Sequence, residues 1–255
     1  EDRAVRRIAR MSRLVRGAST LAARSAKLSG ADLAATMGIA ASRFGAVVYT
    51  LDYYEEIVRD GHGAGNPLLF AESVPNIGSA HLSLGLGLNE ATFSIGGTRT
   101  AGIEAIDLAR QHLEAGLVQR VLVVAAEETD PRLTAILRRL GFTEGGEGAV
   151  AFVLETKEEA SRRGATEYAT LKDTCVFWPQ HNTVPARRQT VREGLAWATG
   201  RGERLDRTKL ARCGPLDTHA VGPFAAMARS LGESRTRCVT LAVDEAGCVG
   251  GVAFE

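Results

Sequence analysis

The chain has 255 residues, enough for one large α/β domain or two small ones with a sizeable core. Its 31 basic and 30 acidic residues nearly cancel, which removes any global electrostatic case for nucleic acid or an anionic membrane as partner. No apolar run approaches the roughly 18 residues of a membrane span. The four cysteines, at 175, 213, 238 and 248, lack CxxC spacing and suit a reducing cytosol rather than a disulfide framework or a zinc site.

Residues 1–27 carry eight Arg or Lys, with Ile8, Met11, Leu14 and Val15 at helical spacing. This predicts a surface helix with a basic outer face and an apolar inner one. A transit peptide has similar composition, but Glu1-Asp2 at the front and the start without Met speak against it. A start inside a domain, by truncation or processing, fits as well.

Asp32 to Ser42 reads as helix with Asp32 as its cap, and Gly45 to Thr50 as a short buried strand. Tyr53 to Asp60 is helical and ends in the loop GHGAGNP. Leu69 to Leu86 turns through Pro75, Asn76 and Gly78 into a small-residue helix. Ala91 to Ile95 is strand-like, Gly96-Gly97 a tight turn, and a helix leaves through Thr100-Ala101-Gly102. VLVVAAE (121–127) is a continuous apolar strand of the kind buried in mainly parallel sheets. A helix near 131–140, the loop FTEGGEG, the strand AVAFVLE (149–155) and the charged helix TKEEASRRG follow.

The second part offers a strand near Tyr168 to Phe177, the loop PQHNTVP and a helix from Arg188 to Thr199. A polar linker, GRGERLDRTK, precedes a helix from Pro223 to Leu231 and the closing strands CVTLAVD and CVGGVAFE. Strands alternating with helices define an α/β layered fold.

The junction at 91–104 carries the chemistry. A strand, a sharp turn and a helix N-terminus form the place where many α/β enzymes hold a nucleophile. This turn offers Thr98, Arg99 and Thr100, with no Cys or Ser at its apex.

Four segments in order resemble the β-ketoacyl synthases of the thiolase superfamily. FAESVPNIGSAHLSLGLGLN (70–89) is similar to the family's segment ahead of the nucleophile strand. TAGIEAIDLARQHLEAGLVQRVLVVAAEE (100–128) resembles the post-nucleophile helix and the strand after it. EGGEGAVAFVLETKEEASRRGATEYATL (144–171) resembles the glutamate–glycine strand and the link into the second half. GPLDTHAVGPFAAMARSLG (214–232) with VTLAVDEAGCVGGVAF (239–254) resembles the late helix and final strands. The likeness spans residues 5 to 254, is strong from 70 to 171 and is weak after 172. It implies one thiolase-like α/β/α/β/α domain over 1–255, with an N-terminal half at 1–165 and a truncated second half at 166–255.

The departures matter more than the matches. The family's Cys precedes the glycine matching Gly102 by three residues, and that position is Arg99. A guanidinium has no nucleophilic lone pair at neutral pH and cannot carry an acyl thioester. Residues 91–109 contain no Cys, and their one Ser, Ser94, falls in the strand. Nothing between 172 and 213 matches the family's His-Gly-Thr motif, and His181 in HNTVP fits an earlier, substrate-side loop. The second His of the family falls on Leu216, with His219 close by, where a glycine is usual. These histidines normally stabilise the enolate of decarboxylative condensation. Lys209 matches the family's lysine region or is a solvated charge.

The expectation is a non-condensing ketosynthase-like subunit, with dimerisation through the strand at 91–95 implied by the resemblance. Its partner would be a homologous full-length ketosynthase or a second copy, with acyl carrier protein as a further partner. The interface or ligand set is Phe93, Thr98, Arg99, Thr100 and Gly102. Arg99 reaches a dimer interface, binds a phosphate or carboxylate, or is a tolerated surface replacement; these readings stay open. One alternative is an acyl transferase or thioester hydrolase using His181, His219 or Cys175, although Cys175 on a strand reads first as a small core residue. Another is a homodimeric acyl or acyl-carrier binding protein. No metal and no resident cofactor is expected, only a phosphopantetheine-linked acyl group as ligand. His62 reads as solvent-exposed, and His81 and His112 as packed or exposed. Cys213 and Cys248 read as structural, Glu127 and Glu128 as supports of the crevice, and Glu144 and Glu147 as supports of their loop.

Overall fold

The computed structural model describes residues 8–141, 145–200, 221–232, 238–244 and 246–255. The first half builds α1 (Arg10–Ser25), α2 (Gly30–Ala34), β1 (Met37–Ser42), α3 (Val47–Asp60), α4 (Pro67–Ser73), α5 (Ile77–Leu86), β2 (Thr92–Gly96) and α6 (Ala101–Glu114). It continues with β3 (Arg120–Glu127), α7 (Pro131–Arg139), β4 (Gly148–Glu155) and α8 (Lys157–Arg162). The second half contributes β5 (Leu171–Phe177), α9 (Val184–Thr199), α10 (Val221–Gly232), β6 (Cys238–Val243) and β7 (Val249–Phe254).

Two sheets result. The first runs β2-β1-β3-β4, with β1 parallel to both β2 and β3 and β4 antiparallel to β3. The second runs β5-β7-β6 and is antiparallel throughout. Helices α1 and α5 cover one face of the first sheet, while α6 and α10 lie between the sheets and touch both. Helix α9 packs against the outer face strands β5, β6 and β7. The order is α/β/α/β/α, the thiolase-like layering.

Two apolar cores follow from this stacking. Outside the first sheet, Met11 and Val15 of α1 meet Leu82, Ala40, Leu122 and Val124. Between the sheets, Ile103, Ile106 and Ala109 of α6 join Phe224 and Met227 of α10, Ile39, Val123 and Val252. Both faces of β3 are covered and every residue in it is buried, which explains its unbroken apolar run.

Three elements differ from the sequence expectation. Residues 37–42 form the strand β1 rather than the end of a helix. Four of its six residues are small, and at Gly38 crowding explains it: a Cβ there would lie 3.0 Å from Leu82 and Leu88. Asp32 is the third residue of the short helix α2, where it completes a capping box with Ser29. Residues 47–50 open helix α3 instead of forming a strand, although Val47, Val48 and Thr50 favour strands by side-chain shape. The stretch 69–86 is two helices, α4 and α5, parted at 74–76 around Pro75.

The rim of the first sheet is tied by buried charge. Arg120, 2 % exposed, donates to Glu155 at 2.6 Å and to Glu159 at 2.5 Å. Arg163 takes the other Glu155 oxygen at 2.5 Å and the carbonyl of Ala26 at 2.6 Å. Strands β3 and β4, helix α8 and the end of α1 are thereby joined.

Candidate functional site

Strand β2 ends beside the end of β1, where Ser42 pairs with Gly96. A Cβ at Gly96 would stand 3.1 Å from the Ser42 carbonyl oxygen, so the close backbone approach requires glycine. Gly97, at φ 97°, reverses the chain, and α6 begins at Ala101. The segment 98–100 thus lies at the carboxyl end of a parallel pair and at the amino end of a buried helix, the crevice position of α/β sheets.

The two hydroxyls and the Arg99 amide of that segment are engaged within the chain. Thr98 and Thr100 both direct Oγ1 at Glu104 Oε1, each at 2.6 Å. Glu104 lies one helical turn after Thr100, so both sit on the same face of α6. The Arg99 amide donates to Asp244 Oδ2 at 3.0 Å across 145 residues of chain. Thr100 Oγ1 also lies 3.2 Å from Cys248 Sγ. The single Thr100 proton belongs to the short carboxylate contact, leaving Oγ1 to accept from the thiol.

Asp244 and Cys248 bracket the turn between β6 and β7. The Asp244 amide donates to the Cys248 carbonyl at 2.8 Å, and Asp244 Oδ1 accepts the Ala246 amide at 2.7 Å. Cys248 is fully buried, and burial pushes its thiol up to about 11. It is a neutral thiol, not a poised thiolate.

The crevice is supported by two carboxylates at the end of β3. Glu127 accepts the amides of Arg43 and Phe44 and the Ser42 hydroxyl, holding the loop after β1. Glu128 accepts the amides of Met11 and Val48, each at 2.8 Å. Burial pushes the Glu128 carboxyl up, partly opposed by those two amides. Both accept backbone amides, and Glu127 also accepts the Ser42 hydroxyl. Glu147 pairs with Arg10 at 2.5 Å, and Glu144 lies outside the described residues.

The residues singled out in the sequence separate spatially. Thr98, Arg99, Thr100 and the buried Gly102 are contiguous at the turn. Phe93 lies earlier on β2, 37 % exposed, its ring 5.6 Å from that of His112 on α6. His181 is exposed in the loop after β5, where its carbonyl accepts the Thr183 amide. Cys175 is buried on β5 opposite Gly251, and burial pushes its thiol up to about 12. His219, Lys209, Cys213 and Leu216 lie outside the described residues. His62 is exposed, and His81 contacts Glu72 at 2.8 Å. Sequence reading missed Asp244 and Glu104 altogether. Glu104 was within reach, one helical turn from Thr100; no local signal marks Asp244.

Among the described residues, no group of three or more His, Cys, Asp or Glu is placed to hold a metal ion. Nor is any of their helices long and apolar enough to cross a membrane.

The family model described as "Beta-ketoacyl synthase, N-terminal domain" matches residues 1–144. The chain belongs to the β-ketoacyl synthase family. No curated protein matches it. Among solved structures it is similar to AntDE:AntF, a type II PKS acyl-carrier protein in complex with its ketosynthase bound to the hexaketide. That match has a TM-score of 0.81 and 17% identity, covering 100% of this chain and 86% of the other. It is also similar to the ishigamide ketosynthase/chain length factor (TM-score 0.73, 17% identity, 99% and 82% covered). A β-ketoacyl synthase from Burkholderia phymatum STM815 matches with TM-score 0.75 and 18% identity over 100% and 84%. At these identities the likeness establishes the thiolase-like fold.

Proposed function

We propose that this chain is a ketosynthase-like subunit without condensing activity, paired with a homologous full-length ketosynthase in polyketide or fatty-acid-type biosynthesis. One observation supports the reading: at the turn where the family resemblance aligns Arg99 with the nucleophile, the groups at 98–100 are engaged by Glu104, Asp244 and Cys248. Around this turn the fold keeps the family's strand and helix.

The edge of the first sheet supports the pairing. β2 bonds to β1 on one side, ends the sheet order on the other, and carries the exposed Phe93. A strand end of this kind accepts another strand readily. A subunit joined there would scaffold the active partner and help set the length of its acyl product. Acyl carrier protein and its phosphopantetheine-linked acyl group are the further partners in this reading, the cytoplasm is the compartment, and no resident cofactor takes part.

An acyl transferase or hydrolase built on Cys175 is disfavoured by that thiol's burial and its value of about 12. Co-expression with a ketosynthase encoded beside it, followed by native mass measurement, tests the proposal. A stable 1:1 complex is expected. A monomer or homodimer that ignores the synthase overturns it, and the homodimer would favour an acyl-binding role.

A further inference from the structure

Strand β4 is exposed in a way its two faces do not explain. Val150, Phe152 and Leu154 pack on the core between the sheets, and Ala149, Ala151 and Val153 on the core under α1. Yet all eight of its residues are half-buried, whereas all eight of its neighbour β3 are buried. The exposure therefore lies along the edge, where β4 turns a row of main-chain N–H and C=O groups away from β3.

The second sheet has the same edge filled. β3–β4 and β6–β7 are each antiparallel pairs of successive strands, following α6 and α10. The far edge of β7 carries β5, antiparallel, and five of the six β7 residues are buried. The far edge of β4 carries no strand among the described residues. Nor does it have the features that keep edges from pairing: its register with β3 has no bulge, and GAVAFVLE contains no Pro or Lys.

We propose that the free edge of β4 is a homodimer interface, on which β4 of a second copy adds across a two-fold axis. A two-fold makes the added strand antiparallel by symmetry, the direction β5 takes on β7. The strand required is apolar and as long as β4, and β4 itself meets both conditions. In the register centred on Phe152, Phe152 meets its own copy, Val150 meets Leu154 and Ala151 meets Val153, cross-strand pairs that stabilise a sheet. The same register sets Glu147, at the head of β4, opposite Lys157 just past its tail. Two four-stranded sheets then become one continuous sheet. Pairing with a ketosynthase uses the opposite edge, β2, so this interface goes beyond that reading and does not rest on it.

Native mass of the full chain alone should give a dimer. Successive residues of a strand turn their N–H groups to opposite edges, so one of Val150→Pro and Ala151→Pro removes a donor from the free edge and the other breaks a bond to β3. The first should keep its thermal transition and run at half the native mass, while the second should lose stability. Hydrogen exchange read amide by amide by NMR needs no variant: alternate β4 amides should join those bonded to β3 in exchanging slowly in the native dimer. A chain that is a monomer at the concentration of the exchange experiment overturns the proposal. So do alternate β4 amides that exchange fast in a dimer, or the native mass retained by the more stable of the two proline variants. Co-expression with the synthase reads the β2 edge separately, so either proposal can fail alone.

Discussion

Glu128 accepts the Met11 amide at 2.8 Å, joining the end of β3 to the first turn of α1. Its other oxygen accepts the Val48 amide at the start of α3. One carboxylate therefore caps two helices that have no side-chain N-cap of their own.

Glu128→Ala leaves both amides without this acceptor. Each buried donor so exposed costs about 1–3 kcal/mol, and the two losses should combine in one drop of the urea midpoint. Glu128→Gln retains one acceptor oxygen and should fall between the variant and the native chain. An unchanged midpoint for Glu128→Ala would show that water or rearrangement replaces the caps.

Acid should weaken the Arg120–Glu155–Arg163 network only below the ordinary carboxylate range. Burial pushes the Glu155 carboxyl up, but the bonds from Arg163 and Arg120 outweigh it and hold the group below the usual carboxylate range. Because the folded value is the lower one, its stabilisation is complete above the ordinary glutamate value of about 4.3 and is lost as pH falls through the folded value. Glu155→Gln should therefore be less stable at pH 7 and show a shallower acid limb in equilibrium unfolding. A limb as steep as that of the native chain would assign acid sensitivity elsewhere.

The two buried thiols should be inert in the folded protein. With values near 12 and 11, Cys175 and Cys248 carry almost no thiolate at pH 8. Iodoacetamide followed by peptide mass mapping should leave both unmodified without denaturant and modify both in urea. Rapid native labelling of Cys175 would revive an acyl-transferase reading.

Gly251 should tolerate no side chain. A Cβ there would come within 2.6 Å of Trp197 and 2.8 Å of both Cys175 Sγ and Leu241. Gly251→Ala overpacks the junction of β5, β6, β7 and α9, and should cost about 1–3 kcal/mol. Thermal unfolding reads this directly, and a variant as stable as the native chain would show slack in that layer.

The legible parts of the fold are those whose neighbours impose a strong pattern. β3 is unbroken and apolar because both its faces are covered, and α6 carries apolar residues at helical spacing because it meets a sheet on each side. β1 was hidden, since four of its six residues, Gly38, Ala40, Ala41 and Ser42, are small and favour strands weakly. α3 was hidden for the opposite reason: its β-branched opening imitates a strand while its helical start is capped by Glu128, far along the chain. At the site, the turn and Arg99 were readable from the junction alone. Asp244 was not, because its role exists only once the two halves pack.

Helix α6 lies between two sheets, with Ile103 and Ile106 essentially excluded from solvent. The segment at its head is therefore placed by the core of the whole molecule, not by the chemistry of residue 99. Selection on folding alone is enough to preserve the contour of this crevice through many exchanges of the residue inside it. In such an architecture shape outlives reactivity, and a chain can change its trade at one position while still fitting the same neighbours.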